Sequence, residues 1–315
     1  MKPLIILTGP TAVGKTELSI KLAKSIGGEI ISADSMQVYK KMNIGTAKIM
    51  PEEMDGIKHY LIDDLDPSED FNVFLFKNMA KKAVEEIYSN GHIPIVTGGT
   101  GFYIQALLYD IDFTQGDADY TYREELESLA KEKGVDYVHN MLRAVDPESA
   151  DAIHANNLKR VIRALEYYKI TKVPISKHNK EQKARKSPYN FLYFVLNDDR
   201  KLLYDRIDKR VDKMLSDGLR EEVKSLMDEG YDRKLVSMQG LGYKEIIAYY
   251  NNEMSLEEAV YVLKRDTRHF AKRQLTWFNR ESDVTMINRN EFDGDNEAIL
   301  EYMLNMIKEK LNDNN

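Results

Sequence analysis

The chain has 315 residues, 31% charged and 43% hydrophobic, with a formal net charge of −7. That length supports one large or two ordinary domains with a sizeable core, and the composition is that of a soluble globular protein. The absence of cysteine excludes disulfides and thiolate metal sites and fits a cytoplasmic location, the six histidines lack zinc-ligand spacing, and no apolar run approaches the roughly 20 residues of a membrane helix.

Residues 2–8 read as a short apolar strand, too short for a signal peptide. It runs into Gly9-Pro10-Thr11-Ala12-Val13-Gly14-Lys15-Thr16, which fits the phosphate-cradling pattern G-x-x-x-x-G-K-[ST]. The helix expected next carries Leu18, Leu22 and Ile26 on one face. A second buried strand, 29–33, ends on Asp34-Ser35. An amphipathic helix over 71–90 is closed by Gly91, and "HIPIVTGGTG" gives a third strand meeting a glycine turn. This alternation predicts an α/β fold with a parallel, doubly wound sheet. Ligands in such sheets bind beyond the strand C-termini, so the P-loop, Asp34-Ser35 and residues 97–101 are expected to converge on one crevice.

From 113 to 187 the strand signal vanishes. A helix ends at Gly134, a second starts with Asp146 as N-cap and Pro147 at its first position, and a third, within 156–172, turns Leu158, Val161, Leu165 and Tyr168 inward. Strand character returns over 191–197. The simplest organisation is an α/β core, 1–112 and 188–315, interrupted by an all-helical domain, 113–187. Residues 156–190 hold ten lysines and arginines against two acids, and 263–280 hold six against one. Such runs are either solvated helix faces or a footprint for a polyanion. The helix expected over 199–215 carries Leu203, Ile207, Val211 and Leu215 on its apolar stripe, and Arg206, Arg210 and Lys213 share another face. Those cations suit either ordinary pairing with Asp205, Asp208 and Asp212 or a clamp on phosphate.

The P-loop chemistry is specific because the pattern follows a strand and opens a helix. Backbone N–H groups face the phosphate, Lys15 places a charge between phosphates, and the Thr16 hydroxyl suits Mg²⁺. Asp34, at the next strand end, is positioned either as a proton acceptor or as a local cap. No N-K-x-D guanine motif is present, while "HYLIDDLD" and "FVLNDD" only superficially satisfy a motor ATPase. The residues therefore indicate a P-loop group-transfer enzyme with a basic helical insert. A small-molecule kinase and a non-catalytic RNA-binding ATPase module stay open as alternatives, although a small substrate does not need such an insert.

Six blocks in order, "GPTAVGKT", "SADSMQVYKKMNIGTAK", "GGTGFYIQALL", "NNLKRVIRALE", "RIDKRVDKML" and "GLGYKE", resemble the bacterial tRNA dimethylallyltransferases, also called tRNA isopentenyltransferases. The resemblance runs to about Trp277; Val13 stands where members often carry serine, a side chain the cradle does not need. It implies a P-loop kinase-like core with a helical insertion. It implies transfer of a dimethylallyl group from dimethylallyl diphosphate to N6 of adenine 37 beside the tRNA anticodon, with Mg²⁺ assisting and pyrophosphate leaving. Prenylation of a free adenine nucleotide is the related alternative. By the same resemblance Asp34 is the general base, and the P-loop backbone with Lys15 and Thr16 holds the diphosphate. Arg210, with Arg206 second, neutralises the leaving group. Asp34, Ser35, Met36 and Gln37 are implied to contact the tRNA anticodon stem-loop, as are Lys159, Arg160, Val161, Ile162 and Arg163, and Gly240, Leu241, Gly242, Tyr243, Lys244 and Glu245. Thr100 and Arg123 are implied to flank the entering base. A monomer with no membrane partner is expected.

Overall fold

The structure is a computed structural model that describes residues 1–112 and 120–312. It divides into two compact units, Met1–Leu108 with Pro188–Asn315, and Tyr109–Ser187. The division falls four residues before the 113 expected from the loss of strand signal. Residues 110–112 are tied to the helical unit, where Arg185 donates to the Asp110 carbonyl (2.5 Å) and the Asp112 N–H donates to Gln182 (2.9 Å).

The first unit begins with β1 (Pro3–Thr8), α1 (Lys15–Ile26), β2 (Gly28–Ser32), β3 (His59–Tyr60), α2 (Val73–Ser89), β4 (Ile93–Gly98) and α3 (Gly101–Leu108). Near-continuous burial of β1, β2 and β4 explains their unbroken apolar reading, since strands covered by helices on both faces need no polar alternation. The helical unit holds α4 (Tyr120–Lys133), α5 (Val135–Val145), α6 (Pro147–Ala152), α7 (Leu158–Thr171) and α8 (Ile175–Lys183). The first unit then resumes with β5 (Asn190–Asn197), α9 (Arg200–Ser216), α10 (Leu219–Asp228), α11 (Tyr243–Tyr250), α12 (Leu256–Phe278), β6 (Thr285–Asn288) and α13 (Asn296–Asn312). No described helix is long and apolar enough to cross a membrane.

The described strands form one parallel sheet in the order β3-β2-β4-β1-β5-β6. In its register Thr8 lies beside Gly98 and Val195, and Ser32 beside Thr97. The loops after β1, β2, β4 and β5 therefore leave from one edge. The Thr8 hydroxyl bonds the Gly98 carbonyl (2.6 Å), and Ala33 N–H bonds the Thr97 carbonyl (2.7 Å), which fixes these exits to one another. Ile5, Leu7, Ile30, Ile95, Phe194 and Leu196 carry the core under the sheet, with Leu18 and Leu22 of α1 packed on them.

The helical unit has its own core of Leu126, Val138, Leu142, Val161 and Leu165, with Leu158 partly buried against it. Asp146 caps α6 by accepting from the Ser149 N–H (3.0 Å), with Pro147 at the first helical position. Glu166, only 2% exposed, takes both its oxygens to the guanidinium of Arg123 (3.0 and 2.9 Å). Because this core is separate, Leu142→Ala is expected to destabilise the helical unit by about 2–5 kcal/mol. Native-state hydrogen exchange should show faster amides in α4, α5 and α7 while β1, β4 and β5 keep wild-type protection.

Candidate active site

The cradle begins where β1 ends. A side chain at Gly9 would place its Cβ 2.4 Å from the Leu196 carbonyl, so only glycine passes between β1 and β5 there. Ala12 (φ 63°) and Gly14 (φ 96°) take left-handed backbone, which curls successive N–H groups toward a common point at the start of α1. Pro10, Thr11 and Val13 complete the turn, with Val13 buried in the core beneath it. Lys15 folds back so that its ammonium donates to the carbonyls of Gly9 (3.0 Å) and Pro10 (2.7 Å). Withdrawal of that ammonium from water lowers its pKa to about 7; the nearby Arg210 adds to the drop and Asp34 opposes it.

Arg210, on α9, is the second cation. Loss of hydration lowers its pKa, and Asp34 again opposes the shift. Among the described residues its one hydrogen bond is a long one, 3.5 Å to the Thr46 carbonyl, and it has no ion pair. Four other charges of α9, Arg206, Asp208, Asp212 and Lys213, are engaged. Arg206 pairs with the buried Asp198 at the end of β5, which also lies 3.6 Å from Arg289. Asp208 pairs with Arg268 (2.5 Å) and Asp212 with Lys264 (2.6 Å), both on α12. Lys213 pairs with Asp217 (2.9 Å). Of the two readings of that face, pairing holds for Arg206, neutralised by Asp198, and for Lys213, paired with Asp217, so that of the three cations Arg210 remains for an anion and Arg206 is corrected as its second.

Asp34 lies two residues past the end of β2. Its Oδ1 accepts from the backbone of Met36 (2.8 Å) and Gln37 (3.3 Å), and no hydrogen bond to Oδ2 occurs among the described residues. The local-cap and proton-acceptor readings are therefore compatible, since one oxygen orients the carboxylate and leaves the other for a ligand. Thr100, after β4, donates its N–H to the Ala33 carbonyl (3.2 Å), so the glycine turn and Asp34 are joined through the backbone.

The structure also brings the blocks around 35–48 and 240–245 together. A Cβ at Gly240 would meet the Met36 methyl at 2.5 Å, and one at Gly45 would meet the Tyr243 ring at 2.5 Å. Gln37 donates to the Ala47 carbonyl (3.1 Å). Glu222 of α10, which the motifs do not mark, accepts from the backbone N–H groups of Asn43 (2.8 Å), Ile44 (2.7 Å) and Gly45 (3.0 Å) and from the Tyr243 hydroxyl (2.6 Å). Glu245 is buried and caps α11 by accepting from Gly242 N–H (2.8 Å); burial raises its pKa. Ser35 and Leu241 are half-buried, and Lys244 is the exposed member of its block.

In the helical unit Lys159, Arg160 and Arg163 are exposed on α7 with no ion pair among the described residues. Val161 (0% exposed) and Ile162 (3%) are corrected as contact residues, because their side chains fill the unit's core. Arg123 lies in the same unit, engaged with Glu166.

No cluster of three or more candidate ligands for a metal occurs among the described residues. Thr16 is exposed at the mouth of the cradle. A protein ligand as sparse as one hydroxyl fits Mg²⁺, which keeps several waters and takes its remaining ligands from phosphate.

The topology and this cradle define a P-loop protein with a kinase-like parallel sheet. The model of the IPP transferase family matches residues 37–281. The chain is 63% identical over 310 residues to a tRNA dimethylallyltransferase of Lachnoclostridium phytofermentans, covering 98% of this chain and 99% of that one. It is 53% identical over 306 residues to one from Acetivibrio thermocellus, covering 96% and 98%. Among solved structures, the full-length tRNA isopentenylpyrophosphate transferase of Bacillus halodurans superposes with a TM-score of 0.73 at 45% identity, over 99% of each chain. A eukaryotic dimethylallyltransferase acting on tRNA gives 0.78 at 32% identity, over 91% of this chain and 74% of that one. The chain belongs to the IPP transferase family.

Two outcomes follow from this geometry. With the Lys15 pKa near 7, the amine is charged below that pH, and above it must regain a proton when a diphosphate binds. Pyrophosphate affinity measured by calorimetry should therefore fall as pH rises above 7, by up to about tenfold per unit, and this slope should be absent in Lys15→Arg. Glu222→Ala orphans three backbone donors and a hydroxyl, and should lower unfolding free energy by about 2–4 kcal/mol in urea titrations.

Proposed function

We propose that this chain transfers a dimethylallyl group from dimethylallyl diphosphate to N6 of adenine 37 in tRNA and releases pyrophosphate. The observation that carries the reading is the pair of cations, Lys15 and Arg210, held beside the P-loop with a single carboxylate, Asp34, across from them. Two cations suit a leaving diphosphate, and one carboxylate suits the proton of an attacking amine.

Residues Gly9, Pro10, Thr11, Ala12, Val13, Gly14, Lys15 and Thr16 bind the diphosphate, with Arg210 on its other side. Cleavage of the allylic carbon–oxygen bond builds positive charge on carbon and negative charge on the diphosphate. Donors fixed on that leaving group stabilise the transition state more than the ground state. Thr16 would hold Mg²⁺, which would supply further neutralisation of the diphosphate charge. Asp34 accepts the proton from N6 as the nitrogen–carbon bond forms. Adenine N6 has a delocalised lone pair, so a positioned base contributes on the order of 10²–10⁴-fold. Thr100 borders the path of the base, which must leave its stack at a cost of a few kcal/mol.

In the first unit Ser35, Met36, Gln37 and Lys244 contact the tRNA, and in the helical unit Lys159, Arg160 and Arg163 do. Lys159, Arg160 and Arg163, exposed and without an ion pair among the described residues, suit the phosphates of an anticodon stem-loop, positioning it without reading its sequence. The enzyme acts in the cytoplasm as a single chain.

The test is mass analysis of adenine 37 in unmodified tRNA incubated with enzyme, Mg²⁺ and dimethylallyl diphosphate. The expected result is addition of one five-carbon unit with release of pyrophosphate. Unchanged tRNA, or ADP formed from ATP, would overturn the reading. Asp34→Ala should lower kcat by about 10²–10⁴-fold with tRNA affinity retained. Arg210→Ala should lower kcat/KM by on the order of 10²–10³.

A further inference from the structure

The loops assigned to the electrophile and to the nucleophile leave different strands, β1 and β4. A side chain from far along the chain joins them. Gln274, near the end of α12, is 6% exposed. Its Oε1 accepts from the Thr11 N–H (2.9 Å), and its Nε2 donates to the Gly99 carbonyl (3.0 Å). Thr11 belongs to the P-loop and Gly99 to the turn that carries Thr100. One amide thus spans the two loops.

The fit is tight on both sides of the turn. A Cβ at Gly99 would lie 2.0 Å from Gln274 Nε2. One helical turn on from Gln274, Trp277 takes the space beside Gly101, where a Cβ would fall 2.2 Å from the indole. From Gly99 the chain continues to Thr100, whose N–H holds the Ala33 carbonyl immediately before Asp34. Gln274 is therefore linked by one hydrogen bond to the cradle and by a short backbone path to the base.

We infer that Gln274 is a positioning residue for prenyl transfer, setting the separation between the diphosphate cradle and the loops that hold the accepting base. The inference rests on the reaction proposed above. Transfer between two bound substrates depends on their approach geometry, and a misplacement of about 1 Å costs on the order of 10²-fold in rate. The position demands an acceptor facing an N–H and a donor facing a carbonyl. A glutamine amide supplies both; a carboxylate supplies only the acceptor until it is protonated.

The experiment compares wild type, Gln274→Leu and Gln274→Glu as full chains. It measures dimethylallyl transfer to unmodified tRNA, tRNA affinity and the thermal unfolding midpoint. Gln274→Leu should lower kcat by roughly 30- to 100-fold, with both KM values and the tRNA Kd within about threefold of wild type. Gln274→Glu should be impaired at about pH 8 and recover relative to wild type toward about pH 6, as the protonated carboxyl regains its donor. Wild-type kcat in Gln274→Leu would overturn the inference, as would a loss expressed wholly as weaker substrate binding. If Gln274→Leu does not fold, the Gln274→Glu ratio decides: a flat ratio across pH overturns the inference and a rise at low pH supports it. A wild-type enzyme inactive on tRNA would instead overturn the proposed reaction, and with it this role.

Discussion

Two cations share the end of β1 without a matching pair of anions. Lys15 is turned onto the carbonyls of its own loop, and Arg210 has, among the described residues, one long contact with Thr46. Each lowers the comfort of the other: loss of hydration depresses both pKa values, and Arg210 presses further on Lys15. A fold tolerates such a local excess of positive charge only when the rest of the structure holds it in place, and a bound diphosphate relieves it. Much of the surrounding architecture serves that constraint. The parallel register brings four loops to one edge, the left-handed turns aim backbone N–H groups inward, and α9 carries Arg210 to the crevice.

Charge sorting on α9 is the clearest instance. Arg206 is drawn off by Asp198, and Asp208 and Asp212 are drawn off by cations of α12. The basic character of α12 is thereby partly consumed inside the protein, through Lys264 and Arg268. Exposed α7 differs, because Lys159, Arg160 and Arg163 face outward from a helix whose apolar side fills a separate core. Two runs that both look basic in the sequence thus differ physically: Lys264 and Arg268 of one close a helix pair, and Lys159, Arg160 and Arg163 of the other face a polyanion.

A second constraint lies in the loop around 43–46. Three consecutive N–H groups converge on Glu222, which also takes the Tyr243 hydroxyl. That carboxylate fixes the loop whose Thr46 carbonyl meets Arg210 and whose Ala47 carbonyl meets Gln37. Glu222 and Gln274 share a logic. Each is a single polar side chain from the C-terminal half of the chain that immobilises backbone near the N-terminus, and neither touches a phosphate.

Local sequence determined the strands β1, β2, β4 and β5, because burial on both faces leaves uninterrupted apolar runs, and it determined the P-loop, because that turn needs glycine where backbones nearly collide. It also determined the helical interruption and the Asp146–Pro147 helix start, which depend on neighbours in the chain. Tertiary structure alone decided which of Arg206, Arg210 and Lys213 is left for an anion, since Arg206 meets Asp198 after β5 while the acids of α9 itself, Asp208 and Asp212, are taken by cations of α12. It alone decided that Val161 and Ile162 are core residues rather than contact residues, and that Glu222 and Gln274 matter at all. Apart from the Tyr243 hydroxyl, their partners are backbone groups more than a hundred residues away, and a backbone N–H carries no signature in a sequence.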